Sequence, residues 1–257
     1  MNTRIYVLST GRSGSTFLYT FFKEHFPELE IGHQKKGSRL INIFGNLPTD
    51  NPIYFKFLQL LFMMYGRGWA PYSTVDPTLS MSIYKLLANN QVIDEKYKII
   101  HLVRDPRDFV TSFMNWKHSS IKKIILHYVI PFWQPSPKFD KDIPLSQKFS
   151  YNKFKQFCYI WNYKNSQFWE AFYGSNRYKL VRLEDITSSK NNIDNITSML
   201  NFLNLTLDTN GLSSSDNSKV NKSNKNRFPE YRDWPPEYKE YLIKTCGNLM
   251  MTFGYHY

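Results

Sequence analysis

Six consecutive residues near the amino terminus, Gly11-Arg-Ser-Gly-Ser-Thr16, combine what is needed to hold a phosphate-sized anion. Glycines at both ends of a short turn let the backbone bend tightly and approach a ligand closely. Arg12 carries a full positive charge, and Ser15 and Thr16 add hydroxyl donors. The segment lies between an apolar, β-branched run, Arg4 to Ser9, and an amphipathic stretch, Ser15 to Phe26. A strand, a tight turn and a helix start in that order aim the unused N–H groups of the first helical turn into the loop. The positive end of the helix dipole points the same way. The spacing Gly-x-x-Gly-Ser-Thr is shorter than a Walker A loop and lacks its Lys-Ser/Thr ending. A compact phosphate-like group at the end of a nucleotide therefore fits better than a nucleoside triphosphate with Mg²⁺.

A second unit of the same kind begins at Tyr97. Tyr97 to Val103 is a strand-forming run, and Arg104-Asp-Pro-Arg-Asp108 follows it directly. Asp105 is suited to cap a helix, Pro106 to its first position, and Asp108 to the carboxylate place of a capping box. Ser112 falls eight residues after Arg104, two turns into that helix. An arginine fork with a hydroxyl can hold a second phosphate away from the first.

With both units in view, the chain resembles the sulfotransferases that use 3′-phosphoadenosine 5′-phosphosulfate (PAPS). In that family a loop of the type Lys/Arg-Ser-Gly-Ser/Thr-Thr grips the 5′-phosphosulfate, and Arg12-Ser-Gly-Ser-Thr16 matches it. A second motif, Arg-Asp-Pro-Arg-Asp followed by a helical serine, grips the 3′-phosphate; Arg104 to Asp108 with Ser112 match it. Weaker matches are Val181-Arg-Leu-Glu-Asp185, Trp161, Trp234 and the closing stretch Cys246 to Tyr255. The Arg-Ser-Gly-Ser form is more similar to carbohydrate and bacterial members than to the small-phenol branch, which has Lys in place of Arg12. The Gly-containing nucleotide loop of that branch is replaced here by Lys222-Ser-Asn-Lys-Asn-Arg227.

The resemblance implies one α/β domain over residues 1–257, with a central parallel sheet flanked by helices in a P-loop-like architecture. It implies transfer of a sulfuryl group from PAPS to a hydroxyl, or less readily an amine, of a carbohydrate or glycolipid acceptor. The nucleotide would be held by Gly11, Arg12, Ser13, Gly14, Ser15, Thr16, Arg104 and Ser112. Lys222, Lys225 and Arg227 are further candidates, with a merely solvated basic loop as the alternative. Arg12 would neutralise the leaving bridging oxygen, and no metal is required where arginine and helix dipole supply the charge. His33, after the second predicted strand, is the candidate base: it titrates near neutrality and stands where similar enzymes have a histidine. His118, Glu24 and Glu28 are alternatives, and His101, inside a strand, reads as structural.

The elements that must position these residues follow from periodicity. Helices are expected over Ser15 to Phe26, Ile53 to Tyr65, Ser80 to Asn90, Pro106 to about Lys117, Asn152 to Tyr173, Ile193 to Leu203 and Pro235 to Phe253. Strands are expected at Arg4 to Ser9, Glu28 to His33, Tyr97 to Val103 and Tyr178 to Leu183. Residues 34–51 read as loop with some helix. Residues 118–150 read as an irregular, basic and aromatic substrate-side insertion, and 213–227 as a mobile Ser/Asn/Lys-rich loop. Alternating strands and helices imply a parallel sheet covered on both faces.

Thirty-three basic against 21 acidic residues give a net charge of +12, which favours anionic partners. Cys158 and Cys246 read as two free buried thiols, and no Cys/His spacing suggests a metal site. The first strand begins so early that no signal peptide is expected, no run is long enough to span a membrane, and a cytoplasmic enzyme is implied. Two rivals remain. A P-loop nucleoside or nucleotide kinase should show a Walker lysine where Ser15 and Thr16 stand. A non-enzymatic polyanion-binding module should cluster its basic residues without a nucleotide pocket. Nucleic acid is not an expected partner, and oligomeric state is not legible.

Overall fold

The computed structural model describes residues 3–33, 38–46, 52–66, 73–89, 96–117, 145–188, 192–207 and 228–256. The chain forms two compact units, Met1–Val103 with Gln167–Asn221 and Arg104–Ser166 with Lys222–Tyr257.

The first unit is built on five parallel strands in the order β2-β3-β1-β4-β5. They are β1 (Arg4–Leu8), β2 (Ile31–Gly32), β3 (Ser73–Thr74), β4 (Tyr97–Val103) and β5 (Tyr178–Arg182). β1 and β4 pair from Arg4 with Tyr97 to Leu8 with His101. Both read as near-continuous apolar runs because helices cover both faces of the sheet. The helices are α1 (Ser15–His25), α2 (Ser38–Gly45), α3 (Pro52–Gly66), α4 (Ser80–Ala88), α7 (Leu183–Thr187) and α8 (Asn192–Leu203). One face of α1 buries Phe17, Leu18, Phe21 and Phe22 in a core that also holds Ile100, Leu102, Val181, Met199 and Leu200. Each fully buried side chain of this size contributes about 1.5–3 kcal/mol. His101, within β4, is fully buried and shares a 2.7 Å hydrogen bond between Nδ1 and the Tyr178 hydroxyl. It is structural, as its place in a strand implied.

The second unit holds α5 (Pro106–Lys117), most of α6 (Leu145–Phe172), a 3₁₀ turn (Tyr231–Asp233) and α9 (Pro236–Thr252). Phe154, Phe157, Cys158 and Trp161 of α6 are buried, as are Phe109, Val110 and Met114 of α5 and Leu242, Cys246 and Met250 of α9. The two cysteines are free and in contact, the Cys246 thiol donating to the Cys158 carbonyl at 3.4 Å.

Most expected elements form within two residues of their predicted bounds. The second strand is shorter than expected, only Ile31–Gly32. Its short partner β3 was not foreseen. Both are held by side chains as well as backbone: the Gly32 carbonyl accepts from Val75 N at 3.1 Å and from Thr74 Oγ1 at 3.2 Å. The long helix begins at Leu145, inside the stretch expected to be irregular. Residues 118–144 and the predicted loop 213–227 otherwise lie outside the described residues. Among the described residues, no helix is long and apolar enough to cross a membrane.

Candidate active site

The loop after β1 has the backbone of an anion cradle. Gly11, Arg12 and Gly14 all lie at positive φ, +82°, +55° and +91°. For Arg12, which carries a Cβ, that conformation stores about 1 kcal/mol or more and persists only where neighbours enforce it. Here they do. The buried Ser13 hydroxyl donates to the Gly11 carbonyl at 3.2 Å and shares a 2.9 Å hydrogen bond with Thr10 Oγ1. Ser13 thus spends its side chain bracing the loop and has only its N–H to offer a ligand. Gly14 is the N-cap of α1; no side chain caps this helix and no acidic residue stands in its first turn. The first-turn N–H groups and dipole are left to an incoming anion.

Gly14 also packs closely: a Cβ there would fall 2.3 Å from Leu183 Cδ1, so the leucine would have to move aside. Leu183 belongs to the Val181–Asp185 stretch, where Arg182 grips Asp185 through Nε at 2.7 Å and Nη2 at 2.8 Å. The base of the loop is tied to α4 by a 2.9 Å bond from Ser9 N to Ser80 Oγ.

His33 follows β2 directly. Its ring stacks on Tyr19 of α1, centroids 5.1 Å apart and planes 21° from parallel. Its Nε2 is buried, and no hydrogen-bond partner reaches it among the described residues. Burial lowers its pKa below the usual 6.5, partly opposed by the charge of Asp76. Asp76 is a residue that sequence reasoning passed over. It is 1% exposed, and its Oδ1 accepts from Thr78 N at 2.9 Å and Thr78 Oγ1 at 2.8 Å. The available signal was Asp-Pro-Thr, a turn-forming triplet.

In the second unit, Asp105 caps α5 as expected, accepting from Arg107 N at 2.8 Å while its carbonyl takes the Phe109 N–H at 2.8 Å. Arg107 turns back on the same carboxylate, with Nη2 2.5 Å from Oδ2. The buried Trp161 donates its indole N–H to the Arg104 carbonyl at 2.8 Å. Ser112 is half-buried on α5. One turn further, Asn115 clamps Phe228 from both sides, its Oδ1 accepting from Phe228 N at 2.8 Å and its Nδ2 donating to Phe228 O at 3.3 Å. Sequence reasoning did not foresee that clamp. Lys222, Lys225 and Arg227, just before Phe228, lie outside the described residues, as does His118. Among the described residues, no group of three or more His, Cys, Asp or Glu is arranged to hold a metal ion.

The sulfotransferase domain family model matches residues 2–241. The chain belongs to the sulfotransferase domain family. The matched range takes in Gly11–Thr16, His33, Asp76, Arg104 and Ser112 alike. A solved sulfotransferase domain shares the fold. The sulfotransferase domain of the Synechococcus PCC 7002 olefin synthase superposes with a TM-score of 0.54 at 19% identity, covering 100% of this chain and 96% of that one. The sulfotransferase domain from the curacin biosynthetic pathway gives 0.47 at 18% identity, over 81% of this chain and 76% of that one. Mouse SULT7A1, complexed with PAP, gives 0.47 at 12% identity, over 98% and 87%. No curated protein matches the chain by sequence.

Proposed function

We propose that this sulfotransferase takes its sulfuryl group from PAPS and passes it to a hydroxyl of a carbohydrate or glycolipid. The observation that carries the donor assignment is the loop Gly11–Thr16: three residues at positive φ below an uncapped helix, with one arginine and no lysine. That cradle suits a compact anionic group and has no Walker lysine to reach a triphosphate. Membership of the sulfotransferase family supports the same donor. So does strand order. The chain leaves the neighbouring strands β1 and β4 towards opposite edges of the sheet, and ligands of open α/β folds bind beyond the carboxyl ends of such strands. The residues that follow those two strands are the two phosphate motifs.

In this reading Ser15, Thr16 and the first-turn N–H groups hold the 5′-phosphate, and Arg104 with Ser112 holds the 3′-phosphate. Lys222 and Arg227 add charge at the same end. Arg12 places its guanidinium against the bridging oxygen, where negative charge grows as the sulfur–oxygen bond breaks. His33 Nε2 accepts the proton of the acceptor hydroxyl as that oxygen bonds to sulfur, and the bond pair leaves with 3′,5′-ADP. Arginine and helix dipole supply the positive charge these steps need. Acceptor binding is attributed to the basic, aromatic residues 118–144, because stacking rings and cations suit sugars. The enzyme is assigned to the cytoplasm.

Thermal shift distinguishes the donor from its rivals. 3′,5′-ADP without Mg²⁺ should raise the melting temperature, and ATP with Mg²⁺ should not. The reverse pattern would point to a kinase. Salt-dependent DNA binding with no response to 3′,5′-ADP would point to a polyanion-binding module. A screen of sugar and glycolipid acceptors with labelled PAPS tests the acceptor class.

A further inference from the structure

Two polar residues follow the ends of neighbouring strands, His33 after β2 and Asp76 two residues after β3. His33 Nε2 is buried and finds no hydrogen-bond partner among the described residues. Asp76 is buried to 1% exposure. Gly32 pairs with Thr74 at the ends of β2 and β3; His33 follows the first directly, and Asp76 follows the second by two residues. The register is pinned from both chains, because Val75 N and Thr74 Oγ1 both bind the Gly32 carbonyl and Asp76 N donates to Thr74 Oγ1 at 3.2 Å. The Asp76 carboxylate is itself fixed, since Oδ1 accepts both the N–H and the hydroxyl of Thr78. The His33 imidazole lies flat on Tyr19.

We propose that Asp76 is a positioning residue for His33: its fixed, buried carboxylate orients the imidazole and stabilises the imidazolium formed when the acceptor proton arrives at Nε2. The proposal rests on His33 being the base. The catalytic residue is His33, which receives the proton; Asp76 touches no substrate and acts through the ring. A carboxylate beside a histidine does this work by favouring the charged form without taking the proton.

The electrostatics agree. Burial pulls the His33 pKa down and Asp76 alone pulls it back up. Of the other titratable groups on these elements, Lys23 and Glu24 of α1 and Glu28 and Glu30 ahead of β2 are exposed, and His25 at the end of α1 is half-buried against Phe21.

Asp76→Asn isolates the charge, because the amide oxygen can still accept from Thr78. Histidine NMR titration of the full chain, with His33 assigned from His33→Asn, reads the pair without donor or acceptor. The His33 midpoint should move to lower pH in Asp76→Asn. With PAPS and an acceptor, kcat should fall about tenfold or more while KM changes little, and the acid limb of the rate profile should move the same way. Asp76→Glu should recover part of kcat. In a His33→Gln background, Asp76→Asn should cost nothing further. An unmoved titration, or an unmoved kcat with a moved titration, overturns the proposal. So does a protein dead at every pH as Asp76→Asn but active as His33→Gln, which would make Asp76 the base. A melting curve at the wild-type midpoint certifies the variant's fold; if Asp76→Asn melts early, the Glu variant and the double mutant carry the decision. Failure of the donor assignment shows separately, as absent stabilisation by 3′,5′-ADP with the titration shift intact.

Discussion

The loops after β1 and after β4 are both strand-to-helix turns, yet they are built in opposite ways. The first leaves its helix end open: Gly14 caps α1 without a side chain, and the loop holds Arg12 at positive φ. The second closes its helix end with Asp105 and then ties Arg107 to the same carboxylate. The first can therefore bind an anion through backbone N–H groups and dipole, and the second only through side chains projecting from a finished helix. The first should be sensitive to backbone geometry and the second to what supports its side chains.

The largest effect is expected at Arg12. Arg12→Ala should lower turnover about a hundredfold or more, as removal of a transition-state donor does. Affinity for 3′,5′-ADP should change less, because the N–H groups remain. Steady-state rates beside calorimetric titration separate the two quantities, and retained turnover would strip Arg12 of its role.

What lies behind the loops differs as well. Leu183 packs against the first. The second leans on Trp161 of α6, and one turn along that helix stands Lys164, 4% exposed. Burial pushes the Lys164 amine down to about 7 from an ordinary 10.5. A lowered lysine pKa means that the unfolded chain holds the extra proton between those values. Stability should therefore rise with pH from about 7 towards 10.5 and lie flat, at its lower level, below that window. Lys164→Met should flatten this slope and stabilise the protein at pH 7 by about 2 kcal/mol or more. Denaturation at pH 7 and 9 for both proteins checks it; equal slopes would mean that the amine reaches water.

Next in size is Gly14→Ala. A Cβ there meets Leu183 and a φ that non-glycine residues adopt at about 1–2 kcal/mol. Part of that should appear as lower stability and part as weaker 3′,5′-ADP binding, since relaxation would turn the first N–H groups aside. Unchanged affinity would mean that the cradle's backbone does not grip the nucleotide.

The same contrast explains what was legible beforehand. β4 and α5 appear with the bounds their sequence implied, because a seven-residue strand-forming run and an Asp-Pro cap are local signals. The anion loop was legible for the same reason. β3 was not, since two residues cannot display alternation. Asp76 was invisible as a partner of His33 because their proximity comes from β2–β3 register, a pairing across 42 residues. Cys158 and Cys246, read as separate buried thiols, meet only through the packing of α6 on α9. Lys164 sits in a polar run, Asn-Tyr-Lys-Asn, in which nothing local marks the side that the helix buries.

The smallest effect should come from Asp105→Ala, and it tests the contrast most directly. The change removes the acceptor for Arg107 N and frees the Arg107 guanidinium that lies 5.3 Å from the Tyr231 ring centroid. Loss of an N-cap costs about 1 kcal/mol, and the half-buried ion pair adds little. The opened helix end would, however, offer N–H groups and dipole to an anion, as α1 already does. Asp105→Ala should thus lower the melting temperature by a few degrees, while inorganic sulfate, weakly stabilising in the parent, restores more of the loss than it does for a surface control variant. If the second loop instead depends on its cap to aim Arg104, 3′,5′-ADP affinity will fall by more than about tenfold, and the two loops will prove alike in relying on helix-end geometry.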